Sequence, residues 1–303
     1  MTFPHVALSA DPHDRVAPRR TDDAWLEERW ADPDTRVLVV SGTRVRPSEG
    51  VLMWVSSEEA PDGVRVLLGE RDRRSWFAVV ADASLARAEE EEWVPLRGLL
   101  PLLAGDAVAQ APLVLHALGL AEWLWVTRFC PRCGGALEPG AAGHELRCTV
   151  CGKAQFPRTD PAVIMVVASG KPGAAEEQCL LGRHAAWPEG RYSTLAGFCE
   201  PGETLEDAVR REVAEEVGVV VGQVEYFGNQ PWPLPASLML GFVGRAVTTE
   251  ITLDEHEIED ARWFTRSEMK AEAEAGTLVL PGGVSISRSL VEHWYGGPLP
   301  GQW

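Results

Sequence analysis

The sequence predicts an α+β protein: a β-rich N-terminal domain, then a four-cysteine zinc ribbon, then a mixed α/β C-terminal domain. Three observations predict it. Short β-branched and aromatic runs fill the first part of the chain, two Cys-x2-Cys pairs stand at matched spacing in the middle, and strand-like runs surround a carboxylate-rich helix in the last part. A length of 303 residues suits two domains of roughly 150 residues better than one. With 45% hydrophobic and 24% charged residues, the chain is an ordinary globular one and not a disordered one.

The elements follow in order. Runs at 36–40, 51–55, 64–68 and 75–80 are separated by Gly, Pro, Asp and Ser, the pattern of an antiparallel meander. The acidic run 89–92 reads as a solvated face or loop. Residues 96–129 are Leu- and Ala-rich and read as helices, with Pro112 at a break or a helix start. A compact cysteine-containing segment follows. Beyond it, strands are expected at 161–168, 178–181, 192–198, 223–230, 238–247 and 261–264, with a helix from Thr204 and a closing helix over 284–294. The corresponding division is 1–128, 129–157 and 158–303.

Charge narrows the function. Twenty-eight basic residues against 45 acidic ones leave a net charge of −17. Such a surface repels phosphate backbones, which excludes non-specific nucleic-acid binding as the main role. The longest apolar run, 162–168, is far short of the roughly 20 residues of a membrane span, so no membrane partner is expected. The first twenty residues hold no continuous apolar segment, and the expected location is cytoplasmic.

Cys130, Cys133, Cys148 and Cys151 form C-x2-C-x14-C-x2-C, and Gly134 and Gly152 follow the two pairs. Two intervening residues let a tight turn aim both sulfurs at one point, and the glycine accepts the backbone conformation that aims nearby N–H groups at them. Two such turns on a hairpin make a tetrahedral zinc site. Four thiolates leave no open position, so one structural Zn²⁺ per chain is expected. Cys179 and Cys199 fall outside the pattern and read as small apolar residues.

The second chemical feature is the helix after Thr204, which can cap it, with Gly218 as its stop. On a wheel of about 100° per residue, Leu205, Ala208, Val209, Val213 and Val217 share one arc. Glu212 and Glu216 fall near −20° and +20°, inside that arc, while Glu215 lies at its edge. Two carboxylates on a core-facing stripe are costly to bury unpaired. A hard divalent cation, Mg²⁺ or Mn²⁺, meets them and also bridges phosphate oxygens.

Gly197, Glu203, Arg211, Glu212, Val213, Glu215, Glu216, Gly218 and Val219 match all nine constrained positions of the Nudix box, G-x5-E-x7-R-E-U-x-E-E-x-G-U. Together with the β-rich N-terminus, the four-cysteine ribbon and the segment Asn229-Gln-Pro-Trp-Pro-Leu-Pro-Ala-Ser237, this resembles the NADH pyrophosphatases (NudC type) of the Nudix hydrolase superfamily. The resemblance implies a C-terminal Nudix α/β/α sandwich. It also implies hydrolysis of the pyrophosphate of NAD(H) to NMN(H) and AMP, and removal of NAD caps from RNA 5′ ends. Glu212, Glu215 and Glu216 would be catalytic, holding divalent Mg²⁺ or Mn²⁺ with the backbone carbonyl of Ala196 and with Glu257; Glu215 would be a further ligand or a base for the attacking water. Glu203 and Arg211 would orient loop and helix by a salt bridge.

Substrate contacts implied by the resemblance are Gln230, Pro231, Trp232, Pro233, Leu234, Pro235, Ala236 and Ser237, together with Phe198, Phe156, Ser287 and Arg97. As lone aromatics, Phe156 and Phe198 read equally well as core. Asn229 stands where the family has Ser, and Leu234 where it has Phe, which removes an aromatic ring from that segment. The family also implies a homodimer whose subunits build each pocket together. Two other readings stand beside this one: a Nudix hydrolase for ADP-ribose, FAD, a dinucleoside polyphosphate or a noncanonical dNTP, and a zinc-ribbon regulator with an inactive Nudix domain.

Overall fold

Residues 3–48, 51–88, 92–254 and 256–301 are described by a computed structural model. Glu89, Glu90 and Glu91 of the acidic run, and Glu255, lie outside the described residues. The chain divides into two compact units, one of residues 8–159 and 232–236, the other of residues 1–7, 160–231 and 237–303.

The N-terminal unit contains α1 (Asp23–Ala31), β1 (Arg36–Ser41), β2 (Arg44–Val45), β3 (Pro47–Ser48), β4 (Val51–Leu52), β5 (Trp54–Val55), β6 (Val64–Arg71), β7 (Arg74–Ala81), α2 (Ser84–Ala88), β8 (Val94–Pro95), α3 (Leu96–Ala104), α4 (Ala111–Val126), β9 (Leu137–Gly140), β10 (Glu145–Cys148) and β11 (Ala154–Gln155). The expected strands form, but not as a meander. The sheet runs β6-β7-β1-β2-β8, and β1 pairs with β7 in parallel. Hairpins at Gly42 and at Asp72-Arg73, all with positive φ, make the antiparallel pairs. The parallel pair between them is a long-range choice that alternation does not encode. The run 51–55 breaks into β4 and β5, which pair with different partners.

Helix α1 lies in the N-terminal domain expected to be β-rich, ahead of its first strand run. Asp22 caps it, its side chain accepting from the Trp25 N–H. The 96–129 region is helical as expected, and Pro112 occupies the first turn of α4.

The C-terminal unit contains β12 (Asp160–Ser169), β13 (Gln178–Arg183), β14 (Leu195–Phe198), α5 (Leu205–Val217), β15 (Val221–Trp232), β16 (Ser237–Ala246), β17 (Asp260–Thr265), α6 (Arg266–Ala275) and α7 (Ile286–Tyr295). Its sheet runs β15-β16-β12-β13-β17, with β14 also on β12 and β16 parallel to β12. Strand β12 is an unbroken apolar run because both its faces are covered. Val163, Met165 and Val167 pack against Ala208, Val209, Val213 and Val217 of α5. Ile164, Val166 and Ala168 pack against Ile286, Leu290, Val291 and Trp294 of α7 and Met269 and Ala273 of α6. This is the expected α/β/α sandwich.

The strand expected over 192–198 begins only at Leu195, since Tyr192 bonds Val279 and Ser193 bonds Gly182 before β14 turns onto β12. Helix α6 was not expected; a capping box between Thr265 and Glu268 starts it. No helix among the described residues is long and apolar enough to cross a membrane.

Candidate active site and zinc ribbon

The ribbon is the three-stranded sheet β11-β10-β9 with a cysteine turn at each end. The four sulfurs all lie within 4.8 Å of one another, among the described residues the one such cluster of potential ligands. Gly134 and Gly152 take φ of 73° and 69°, the left-handed conformation the turns require. The Cys151 N–H points at Cys148 Sγ from 3.5 Å and, with the Val150 N–H, lowers the Cys148 thiol to about 6. A thiol so lowered is ready to ligate as thiolate. Of the other two cysteines, Cys179 is buried and Cys199 packs at the edge of the sandwich core.

The carboxylate site is built on α5 and the loop before it. Thr204 caps the helix, accepting from the Asp207 N–H, and Gly218 ends it at φ 71°. Glu212 and Glu216 are only 9% and 3% exposed, as their place in the apolar arc requires, while Glu215 is exposed. Gly197 on β14 lies directly over Glu212: a Cβ there would fall 1.9 Å from its carboxyl carbon. Ala196 precedes it on the same strand, paired with Ile164.

Arg211 ties loop to helix. Its guanidinium donates to Glu203 at 2.7 and 3.1 Å, to Glu212 at 2.9 Å, to Glu215 at 3.1 Å and to the Phe198 carbonyl at 2.9 Å. The expected Glu203–Arg211 salt bridge is thus present, and it holds the Glu203 carboxyl below the usual range. Burial raises Glu212 against the opposing pull of Arg211. Burial, then the Glu212 and Glu257 carboxylates, push Glu216 up to about 8. The Glu257 charge is thus felt at the helix pair, although 41 positions separate it from Glu216. Glu216 Oε2 is buried and has no hydrogen-bond partner. Two buried carboxylates on one helix face, one with an orphaned oxygen and both repelled by Glu257, suit a divalent cation of the hard, oxygen-seeking kind.

The other sequence-expected residues separate into two groups. Arg97, Pro233, Leu234 and Pro235 line one cavity of about 280 Å³ in the N-terminal unit, with Thr43 and Glu122. Trp232 and Ala236 belong to the same unit. Phe156 and Phe198 are 67% and 58% exposed, so neither is core.

Two residues are instead engaged inside the C-terminal unit. Gln230, 1% exposed, accepts from the Ile286 N–H at 2.9 Å and donates to the Val284 carbonyl at 2.6 Å, pinning the start of α7. Ser287 bonds Ser193 and Thr194, each at 2.8 Å. Pro231 and Ser237 are partly buried in β15 and at the start of β16.

Sequence reasoning missed the need for Gly197 to clear Glu212, and it missed His184, whose Nδ1 meets the Glu257 carbonyl at 2.8 Å. The first was open to a reader asking what a glycine opposite the helix makes room for. The second left no local signal.

Comparison with known proteins gives two family models. The NUDIX domain matches residues 158–279 and the NADH pyrophosphatase zinc ribbon domain matches residues 127–156. The NAD-capped RNA hydrolase NudC of Mycobacterium bovis (strain BCG / Pasteur 1173P2) is 36% identical over 304 residues, 95% of this chain and 93% of that protein. The human NAD-capped RNA hydrolase NUDT12 is 36% identical over 294 residues, 88% of this chain. The matched region spans 63% of the human protein's length.

Proposed function

The chain belongs to the Nudix hydrolase family, in its branch with an NADH pyrophosphatase zinc ribbon, and from that premise we propose that it hydrolyses the pyrophosphate of NAD(H) to NMN(H) and AMP and that of the NAD cap on RNA, releasing NMN and leaving a 5′-monophosphate end. The observation that carries this reading is the burial of Glu212 and Glu216 on one face of α5, with an unpartnered carboxylate oxygen on Glu216.

Glu212, Glu216 and Glu257, with the Ala196 carbonyl, would hold Mg²⁺ or Mn²⁺. A divalent cation bound there neutralises the charge of the diphosphate and of the attacking oxygen. Water adds to one phosphorus and the bridging P–O bond breaks, giving two monophosphates. Glu215, exposed and paired with Arg211, would take the proton the water gives up or add a ligand. Arg211 keeps the 198–203 loop seated on α5, so the carboxylates face substrate at fixed spacing. The resemblance carries Arg97, Pro233, Leu234, Pro235, Phe156 and Phe198 as substrate contacts; the first four line one cavity, and both phenylalanines are exposed.

The same reading includes a homodimer, supported by Val126, Phe129, Val150 and Phe156, all exposed and apolar in the N-terminal unit. It also includes a cytoplasmic location, supported by a thiolate zinc site that needs a reducing compartment. The domain division 1–128, 129–157 and 158–303 belongs to it as well. A net charge of −17 limits contact with the RNA body, so unpaired 5′ ends are the expected capped targets.

The test is a product assay with Mg²⁺ or Mn²⁺ on NADH, NAD⁺, ADP-ribose and NAD-capped RNA, with Glu216→Gln beside the wild type. AMP with NMN(H), and loss of turnover by at least about 100-fold in the variant, are the expected results. Cleavage of ADP-ribose alone would refute the dinucleotide assignment, and no turnover of any substrate would refute the enzyme.

A further inference from the structure

We propose that His184 is a positioning residue that fixes the Glu257 carboxylate opposite Glu212 and Glu216 by holding the main-chain carbonyl of Glu257. The inference rests on the reading of Glu257 as a metal ligand given above.

Glu257 needs such a tether. It sits on an exposed stretch between β16 and β17, and its charge opposes those of Glu212 and Glu216. Left to itself, an exposed carboxylate relieves that repulsion by swinging into water. The backbone around it is tied on both sides. The Asp254 N–H bonds the Glu216 carbonyl at 3.0 Å, Ile258 is buried in the α5-side core, and the Glu259 N–H bonds the Arg183 carbonyl at 2.9 Å. Glu259 also pairs with the Arg183 guanidinium. Between these ties, His184 Nδ1 lies 2.8 Å from the Glu257 carbonyl oxygen.

A carbonyl only accepts, so Nδ1 carries the proton in this contact. It does so in the neutral Nδ1–H tautomer and in the imidazolium alike, which makes the tether indifferent to the ring's charge. The ring itself is braced. Trp187 meets it edge-on at 4.7 Å between centroids, Arg183 donates to the Trp187 carbonyl at 2.9 Å, and the Arg191 guanidinium lies 5.7 Å over the Trp187 ring. Residues 183–191 thus form a bracket on the connection from β13 to β14, the strand that delivers Ala196 and Gly197. One connection therefore sets both the strand under Glu212 and the loop of Glu257.

The experiment measures Mn²⁺ affinity directly, from the paramagnetic signal of free Mn²⁺, alongside steady-state kinetics and melting of the metal-free protein. His184→Asn puts an amide N–H near the Nδ1 position, whereas His184→Gln moves it out to the Nε2 position. We expect His184→Ala and His184→Gln to weaken Mn²⁺ binding by about 10–100-fold, the usual effect of losing a group that orients a ligand. The Mn²⁺ needed for half-maximal turnover should rise in parallel while kcat at saturating Mn²⁺ stays near wild type. His184→Asn should recover most of the affinity. Wild-type affinity in the Gln variant, or equal weakening in the Asn and Gln variants, would overturn the proposal. Glu257→Gln is the separate control: unchanged Mn²⁺ affinity there would overturn the ligand reading itself, and this inference with it.

Discussion

Glu216 shows how one residue carries opposite demands. Its carboxylate is buried, repelled by Glu212 and Glu257, and one oxygen has no partner, all of which destabilise the metal-free fold. A position kept in that state is one whose stability is given up for chemistry. The folded pKa of about 8 lies above the ordinary carboxylate value, so the folded state binds the proton more tightly than the unfolded chain. The associated stability is full at pH below the ordinary value and is lost as pH rises through about 8. Thermal melting of the metal-free protein should therefore fall across that window, and Glu216→Gln should flatten the fall while abolishing turnover. Parallel pH curves for the two proteins would contradict the assignment of this titration to Glu216.

At the level of elements, the ribbon and α5 are specified differently. The ribbon has three short strands and, of its own, only Leu146 as a buried aliphatic side chain, and residues 143–144 dock it on β6. His144 Nε2 donates to the Leu67 carbonyl on β6 at 2.8 Å, and Gly143 packs so closely on Val66 that a Cβ would fall 2.6 Å from it. Zinc supplies what the core does not, on the order of 10–16 kcal/mol of apparent folding free energy. A strong chelator should release one zinc per chain and abolish amide-exchange protection over β9, β10 and β11. Cys133→Ser should do the same without chelator. Retained protection after full zinc release would show that the strands hold without the metal. Helix α5, by contrast, is held by a buried apolar arc and an Arg211 fork.

At the scale of the whole chain, each unit closes a mixed sheet around one parallel pair, β1 with β7 and β12 with β16. In the N-terminal unit a histidine cluster is buried where α4, the ribbon and the start of the chain meet. His13 Nε2 lies 3.1 Å from His116 Nδ1, and the His116 and His144 rings are 5.3 Å apart. Burial first, then Arg15 nearby, holds His13 at about 4 and His116 well below the ordinary histidine value. Burial likewise holds His144 at about 4.

As pH falls below about 6.5 the unfolded chain takes up protons that the folded unit refuses. Stability of this unit is full above that value and declines toward pH 4, a sign opposite to that of Glu216. Urea midpoints measured from pH 7.5 to 4.5 should fall, and His116→Gln should reduce the slope. An unchanged slope would mean the cluster is already protonated in the folded state.

The sequence by itself determined the chemistry that repeats at short range. The C-x2-C turns place two sulfurs within one turn of chain, and a 3.6-residue period places Glu212 and Glu216 on one face, so four thiols and a buried carboxylate pair were legible residue by residue. Thr204, Gly218 and Pro112 were legible for the same reason, because caps and helix starts are local. Tertiary structure alone decided that His184 meets the Glu257 carbonyl, and it set the Arg97 and Leu234 that the resemblance had joined into one cavity. It also decided that Gln230 pins α7 and that the N-terminal strands are not a meander. The physical reason is common to all of these. A side chain's period along its own element is fixed by backbone geometry, whereas its partner across the fold is fixed by how apolar faces pack, and packing is a property of the whole chain.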